Sequence, residues 1–173
     1  MFTVPLYHYT IDNWPENQQK LINIANEQSF RSDNKVGNVD TSYGLQLIND
    51  GELQKILQPT LDEFMTESKI QDLVVTDLWF QRYSQQQFHA PHNHGPLGFS
   101  SVLYIKYDPT IHKATRFISP FPDTKGNTID YSPQDEVNEG SWIFWPSFLN
   151  HYVVPNKTDE ERIILSANMM NKA

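Results

Sequence analysis

The chain has 173 residues, 38% apolar and 20% charged, which suits one folded domain with its own core and excludes a disordered chain. Thirteen Lys and Arg against 21 Asp and Glu leave a net charge of −8, so no phosphate-backbone footprint and no bulk nucleic-acid binding is expected. Cysteine is absent, which excludes disulfides and thiolate sites and leaves histidine, carboxylate, carbonyl or water for any metal.

In chain order, Met1-Phe2-Thr3-Val4-Pro5 lacks the basic stretch and apolar run of a secretory signal. No later segment approaches the ~20 apolar residues of a membrane span. The first part has mainly helical character. Asn13-Trp14-Pro15-Glu16 predicts a helix start with a polar cap and a first-turn proline, followed by Leu21, Ile24 and Ala25 at helical spacing. A second helix is predicted after Asp50-Gly51, with Leu53, Ile56, Leu57, Leu61, Phe64 and Met65 on one face and Pro59 kinking or dividing it.

From about Leu73 the period becomes two. Leu73 to Tyr83, Ser101 to Tyr107, Ala114 to Ile118, Gly140 to Trp145, His151 to Val154 and Arg162 to Asn168 are predicted strands, separated by Pro-, Gly-, Asn- and Asp-containing loops without helices. Such a series indicates an antiparallel sandwich or barrel. No repeat or linker divides the chain. The expectation is a single domain over 1–173, mainly β with N-terminal helices, in which 1–70 is helical support and 71–173 a jelly-roll core.

Phe88-His89-Ala90-Pro91-His92-Asn93-His94-Gly95 packs three of the six histidines into six residues. Strand residues two apart share a face, so His92 and His94 can reach one metal, and His151 from a distant strand would complete a facial triad with open positions. His89 is an odd number of residues from both and on a regular strand faces away, an inference softened by Pro91, so His89 is left open between facing substrate and facing solvent. In Glu161-Arg162-Ile163-Ile164-Leu165-Ser166, Arg162 shares an alternating face with Ile164 and Ser166. An interior arginine is costly without an anion, and its planar fork suits a carboxylate, with Ser166 as an additional donor.

Each feature has a plainer reading. His-Asn-His beside Gly-Pro is turn-like and would suit solvated histidines, and His151 alone could be a capped strand-end histidine. Arg162 could pair with Asp159, Glu160 or Glu161 on the surface. Tyr83 and Tyr104 read as core aromatics, Trp142, Phe144 and Trp145 as barrel packing, and His8 and His112 as surface residues.

Taken together, these segments resemble the 2-oxoglutarate/Fe(II)-dependent oxygenases, closest to small members from bacteria and their tailed viruses. The resemblance runs from about Leu78 to Asn168. It rests on His92-Asn93-His94, Ser100-Ser101-Val102-Leu103-Tyr104, Gly140 through Trp145-Pro146-Ser147, His151-Tyr152-Val153-Val154-Pro155-Asn156, and Arg162. It implies a double-stranded β-helix (jelly roll, cupin-like) that uses Fe(II), 2-oxoglutarate and O2 to oxidise a substrate, most often by hydroxylation with release of succinate and CO2. His92, His94 and His151 would bind iron, Arg162 would hold the distal carboxylate, and Tyr83 and Tyr104 fall where related enzymes contact cosubstrate. The implied location is cytoplasmic, in the host if the chain is viral, and a homodimer is compatible with the sequence.

Two positions depart from the wider superfamily. His94 occupies the slot of a carboxylate, which leaves the triad one negative charge short. Ile164 stands where many relatives carry serine or threonine. A three-histidine cupin-type metalloenzyme without 2-oxoglutarate, and a non-catalytic jelly-roll or virion-associated module, are the alternative readings.

Overall fold

The strongest period-two segments, rich in Val, Ile and aromatic residues, form the long central strands of a curled antiparallel sheet. The computed structural model describes residues 3–35 and 37–172. In chain order the elements are β1 (Tyr7–Thr10), α1 (Glu16–Glu27), β2 (Arg31–Asp33), β3 (Gly37–Thr41), α2 (Asp50–Ser68), β4 (Leu73–Tyr83), β5 (Phe88–His92), β6 (Phe99–Lys106), β7 (Arg116–Ile118), β8 (Asp130–Tyr131), β9 (Ser141–Pro146), β10 (His151–Val153) and β11 (Arg162–Asn171).

The strand order is β1-β9-β6-β11-β4-β3-β5-β10-β7-β8, with β2 attached to β3. The sheet folds over at β3, which pairs with β4 through Asp40 and Thr41 and with β5 through Gly37 and Asn38. One layer is therefore β1-β9-β6-β11-β4 and the facing layer β5-β10-β7-β8. This is the double-stranded β-helix expected from the sequence.

The larger layer is covered on both faces. On β11, Ile163, Leu165 and Ala167 face the helices with Phe80, Leu103, Ile105, Trp142 and Phe144. Leu21, Ile24 and Ala25 of α1 and Leu53, Ile56, Leu57 and Phe64 of α2 close this core, and Phe64 stacks on Phe144 at 4.3 Å. Each fully buried side chain of this kind contributes about 1.5–3 kcal/mol. The opposite face turns Tyr83, Val102, Tyr104, Ile143, Trp145 and Ile164 into the sandwich, against Phe117 and Val153 of the smaller layer. Arg162 and Ser166, in step with Ile164, are buried on this inner face.

Three local expectations change. Four short strands, β1, β2, β3 and β8, were not predicted, and the first three lie in the segment with mainly helical character. The predicted polar cap on α1 is not made: Pro15 occupies the cap position, and the Asn13 carbonyl instead accepts from the Asn17 backbone N–H at 3.2 Å. Pro59 does not divide α2, which is continuous from Asp50 to Ser68. Pro59 and Lys55 are both exposed, so solvent can satisfy the Lys55 carbonyl that proline leaves without a donor. Among the described residues no helix is long and apolar enough to cross a membrane.

Candidate active site

β5 and β10 pair antiparallel with His92 directly opposite His151, so adjacent strands of the smaller layer present two imidazoles together. His94 lies just beyond the end of β5. Its backbone N–H donates to the Ser147 carbonyl at 2.9 Å, and Asn93 Nδ2 donates to Asn150 Oδ1 at 2.8 Å, which ties the His-Asn-His turn to the β9–β10 connection. One ring nitrogen from each of His92, His94 and His151 lies within 4.8 Å of the others, a grouping able to hold one metal ion.

The tautomers of two rings are fixed. His92 Nδ1–H donates to the Ala90 carbonyl at 2.8 Å and His151 Nδ1–H to the Leu149 carbonyl at 3.1 Å, leaving both Nε2 lone pairs free. Burial lowers the affinity of all three for protons. His151, against Trp145 at 4.8 Å, is held well below 6.5 by desolvation and then by His92. His94 is pushed down to about 4 by burial and then by His92, and His92 is also lowered by burial. Neutral imidazole is the ligand form, so all three are ready to bind metal at neutral pH.

At the deeper end, Arg162 is 2% exposed. Its guanidinium carbon lies 5.1, 5.4 and 5.8 Å from the ring centres of Tyr83, Tyr104 and Tyr107. Nη2 donates to Thr115 Oγ1 over a long 3.4 Å, and Nε has no partner among the described residues. The acidic residues that could have claimed it are elsewhere: Glu161 pairs with Arg82 at 3.4 Å. The Tyr83 hydroxyl is likewise buried without a partner, and burial raises its pKa while Arg162 pulls it down. Burial and then Tyr104 push Tyr107 up to about 12, so both phenols stay protonated donors. Tyr104 is differently engaged, its hydroxyl accepting from the Thr115 backbone N–H at 3.0 Å.

Ser166 and Gln81 lie between the two ends. Ser166 Oγ donates to Gln81 Oε1 at 3.1 Å, so the proton expected to serve a ligand is given to protein instead. His89 does not face away. Between His151↔His92 and Val153↔His89 the β5–β10 register slips by one residue, and the extra residue in β5 turns His89 to the side of His92, with ring centres 4.0 Å apart. A second slip, between Ile163 and Ile164 against β6, brings both Tyr104 and Tyr107 to Arg162 despite their odd spacing. His112 also departs from expectation: it is 3% exposed, accepts from the Asp108 N–H on Nδ1 and donates from Nε2 to the Glu160 carbonyl.

The seven residues singled out in the sequence thus share one interior. Those not foreseen are Gln81, Tyr107 and Thr115, whereas for His89 the sequence leaves substrate and solvent both open, with Pro91, a bulge-former inside β5, as the signal. The cavity lined by His89, His92, His94, His151, Tyr83 and Ser166 has a volume of about 20 Å³, room for about one water. A wider groove of about 590 Å³ between α2 and β4 has no histidine in its lining.

Solved structures share this fold. A Pseudomonas putida prolyl-4-hydroxylase matches with TM-score 0.70 and 14% identity over 99% of this chain and 95% of its own. A viral collagen prolyl hydroxylase from Paramecium Bursaria Chlorella virus-1, solved with 2-oxoglutarate, matches at 0.69 and 17% over 96% of both. The epimerase SnoN from nogalamycin biosynthesis, in complex with Fe3+ and alpha ketoglutarate, matches at 0.76 and 14% over 97% and 79%. No curated protein matches in sequence. The architecture is that of the 2-oxoglutarate-dependent Fe(II) oxygenases. Within that class the chain belongs to the family described as "Putative 2OG-Fe(II) oxygenase", whose model matches residues 77–168 and so spans all seven residues. Fe(II) and 2-oxoglutarate are the cofactors of this class, and the three-histidine group suits the metal.

Proposed function

We propose that this chain is an Fe(II)- and 2-oxoglutarate-dependent dioxygenase that hydroxylates its substrate, with His92, His94 and His151 as metal ligands and Arg162 as anchor of the cosubstrate's distal carboxylate. The observation that carries the reading is Arg162: a buried guanidinium with an unpartnered Nε, set beyond three imidazoles that each bring one ring nitrogen within 4.8 Å of the others. A carboxylate is the anion its fork fits, and the unpartnered Tyr83 hydroxyl adds a donor beside it. A ligand with a second chelating end would then span from Arg162 to the metal.

Bound Fe(II) would activate O2, the oxidant, with 2-oxoglutarate giving up two electrons as it becomes succinate and CO2 and the substrate giving up the other two as it takes one oxygen atom. The chain's own part is positional. The Ala90 and Leu149 carbonyls hold His92 and His151 in the coordinating tautomer. Trp145 and Phe117 flank His151 and keep water from it. Arg162 fixes the far end of the cosubstrate, so its reacting end meets the metal in one orientation. Hydroxylation is assigned because the neighbours covering nearly all of both chains are prolyl hydroxylases, although SnoN, an epimerase, shares the fold.

The test is oxygen-dependent formation of succinate from 2-oxoglutarate by the Fe(II)-loaded protein, followed by NMR. Succinate is expected with the wild type and is lost in His151→Ala and Arg162→Met. Equal succinate in the wild type and His151→Ala would contradict the assignment.

A further inference from the structure

The interior holds a fourth histidine that neither metal binding nor the Arg162 anchor uses. His89 reaches it because β5 carries one extra residue against β10, and its ring lies 4.0 Å from that of His92. Gln81 is 4% exposed and accepts the Ser166 hydroxyl proton on Oε1, which turns its Nε2 toward His89 Nδ1 at 3.5 Å. An amide nitrogen only donates, so Nδ1 is the acceptor of this long contact and the ring proton sits on Nε2. That Nε2 is buried without a partner among the described residues, and His89 lines the same cavity as His92, His151 and Ser166.

A buried N–H without an acceptor is costly, and an acceptor supplied by a ligand removes the cost. The three imidazoles bring no negative charge to the metal, so the anionic oxygens there come from the ligand. Gln81 sits opposite Ile164, between the Arg162↔Tyr83 and Ser166↔Trp79 pairs of β4 and β11, and Trp79 lies against His94, so Gln81 and the His89 it contacts lie between Arg162 and the His94 end of the interior. That is the path of a molecule stretched between Arg162 and the metal.

We propose that His89 is a cosubstrate-contacting residue, whose Nε2–H donates to the metal-chelating carboxylate of the 2-oxo acid, with Gln81 and Ser166 as positioning residues that fix its tautomer. This rests on the function proposed above. It gives the chain two anchors for one cosubstrate, Arg162 at the distal carboxylate and His89 at the proximal one.

The experiment is anaerobic calorimetric titration of Fe(II)-loaded protein with 2-oxoglutarate, preceded by measurement of Fe(II) affinity, for the wild type, His89→Phe and His89→Gln. Phenylalanine keeps a ring against His92 and removes the donor, whereas glutamine restores an N–H. The expected result is Fe(II) affinity within about threefold of wild type in both variants. 2-Oxoglutarate binding should be roughly ten- to hundredfold weaker in His89→Phe, with partial recovery in His89→Gln. Wild-type binding of 2-oxoglutarate with no loss in His89→Phe would overturn this proposal alone. Loss of Fe(II) from His89→Phe would overturn it by making His89 a metal ligand or a support of one. Failure of the wild type to bind 2-oxoglutarate would overturn both this proposal and the function on which it rests.

Discussion

Arg162→Met separates the cost of a buried charge from its use. In the ligand-free protein the guanidinium is 2% exposed, lies 5.1 to 5.8 Å from three tyrosine rings, and makes one hydrogen bond of 3.4 Å to Thr115. Removing a guanidinium from water costs several kcal/mol. Each ring contact returns about 0.5–2 kcal/mol and the long hydrogen bond about 0.5 kcal/mol. Gains and costs nearly cancel, and methionine fills much of the same space, so the substitution is expected to leave ligand-free stability unchanged or raised by about 1–2 kcal/mol. At about 2–4 °C per kcal/mol for a chain of this size, Tm should stay level or rise by several degrees. Binding of 2-oxoglutarate has the opposite sign. Deleting one partner of a buried, hydrogen-bonded charge pair costs about 2–5 kcal/mol, a weakening from about thirtyfold to several thousandfold. Thermal unfolding of the metal-loaded protein with and without 2-oxoglutarate reads both effects. The ligand-induced rise in Tm should vanish in Arg162→Met while the baseline holds. A baseline fall of about 6 °C or more, or a preserved ligand-induced rise, would refute the reasoning.

Three further outcomes follow. His151→Ala should lower Fe(II) affinity roughly a hundredfold or more in an anaerobic competition assay while the secondary structure by circular dichroism is kept. Acid should destabilise the metal-free protein: burial, then neighbouring imidazoles, hold His89 at about 3 and His94 at about 4, so the unfolded chain binds their protons first as pH falls below 6.5. Stability therefore rises with pH across this window, and these two residues alone remove at most about 4 kcal/mol between pH 7 and pH 5, measurable by urea unfolding. Gly98→Ala should cost about 2 kcal/mol or more in the same assay. Gly98 has φ +82°, and an added Cβ would stand 2.1 Å from the Met169 carbonyl oxygen, at the start of β6 where the Gly98 carbonyl holds the Ser147 N–H.

The long strands were legible because both faces of β6, of most of β11 and of the second half of β4 are covered, which concentrates β-branched and aromatic residues into runs that begin and end close to the observed boundaries. The alternation Arg162-Ile164-Ser166 likewise put a cation on an interior face, and the structure has it there. Strands β2, β3 and β8 were illegible because they are two to five residues long and largely exposed or partly buried, so no periodicity can accumulate. Period-two reasoning failed where the register slips. His89 and Tyr107 both lie an odd number of residues from a correctly placed neighbour, and both reach the interior through a one-residue offset. The role of Gln81 depends on contacts with Ser166, 85 positions away, and with His89 across the fold of the sheet, which local sequence does not encode.

The central claim, that His92, His94 and His151 hold Fe(II) and 2-oxoglutarate chelates it while anchored by Arg162, is tested most directly by visible absorption of the anaerobic Fe(II) protein as 2-oxoglutarate is added. A weak metal-to-ligand charge-transfer band that saturates at one equivalent, is absent from His151→Ala and needs far more ligand in Arg162→Met is the predicted result. Fe(II) binding with no band at any 2-oxoglutarate concentration would contradict it and favour a three-histidine metalloenzyme that does not use this cosubstrate.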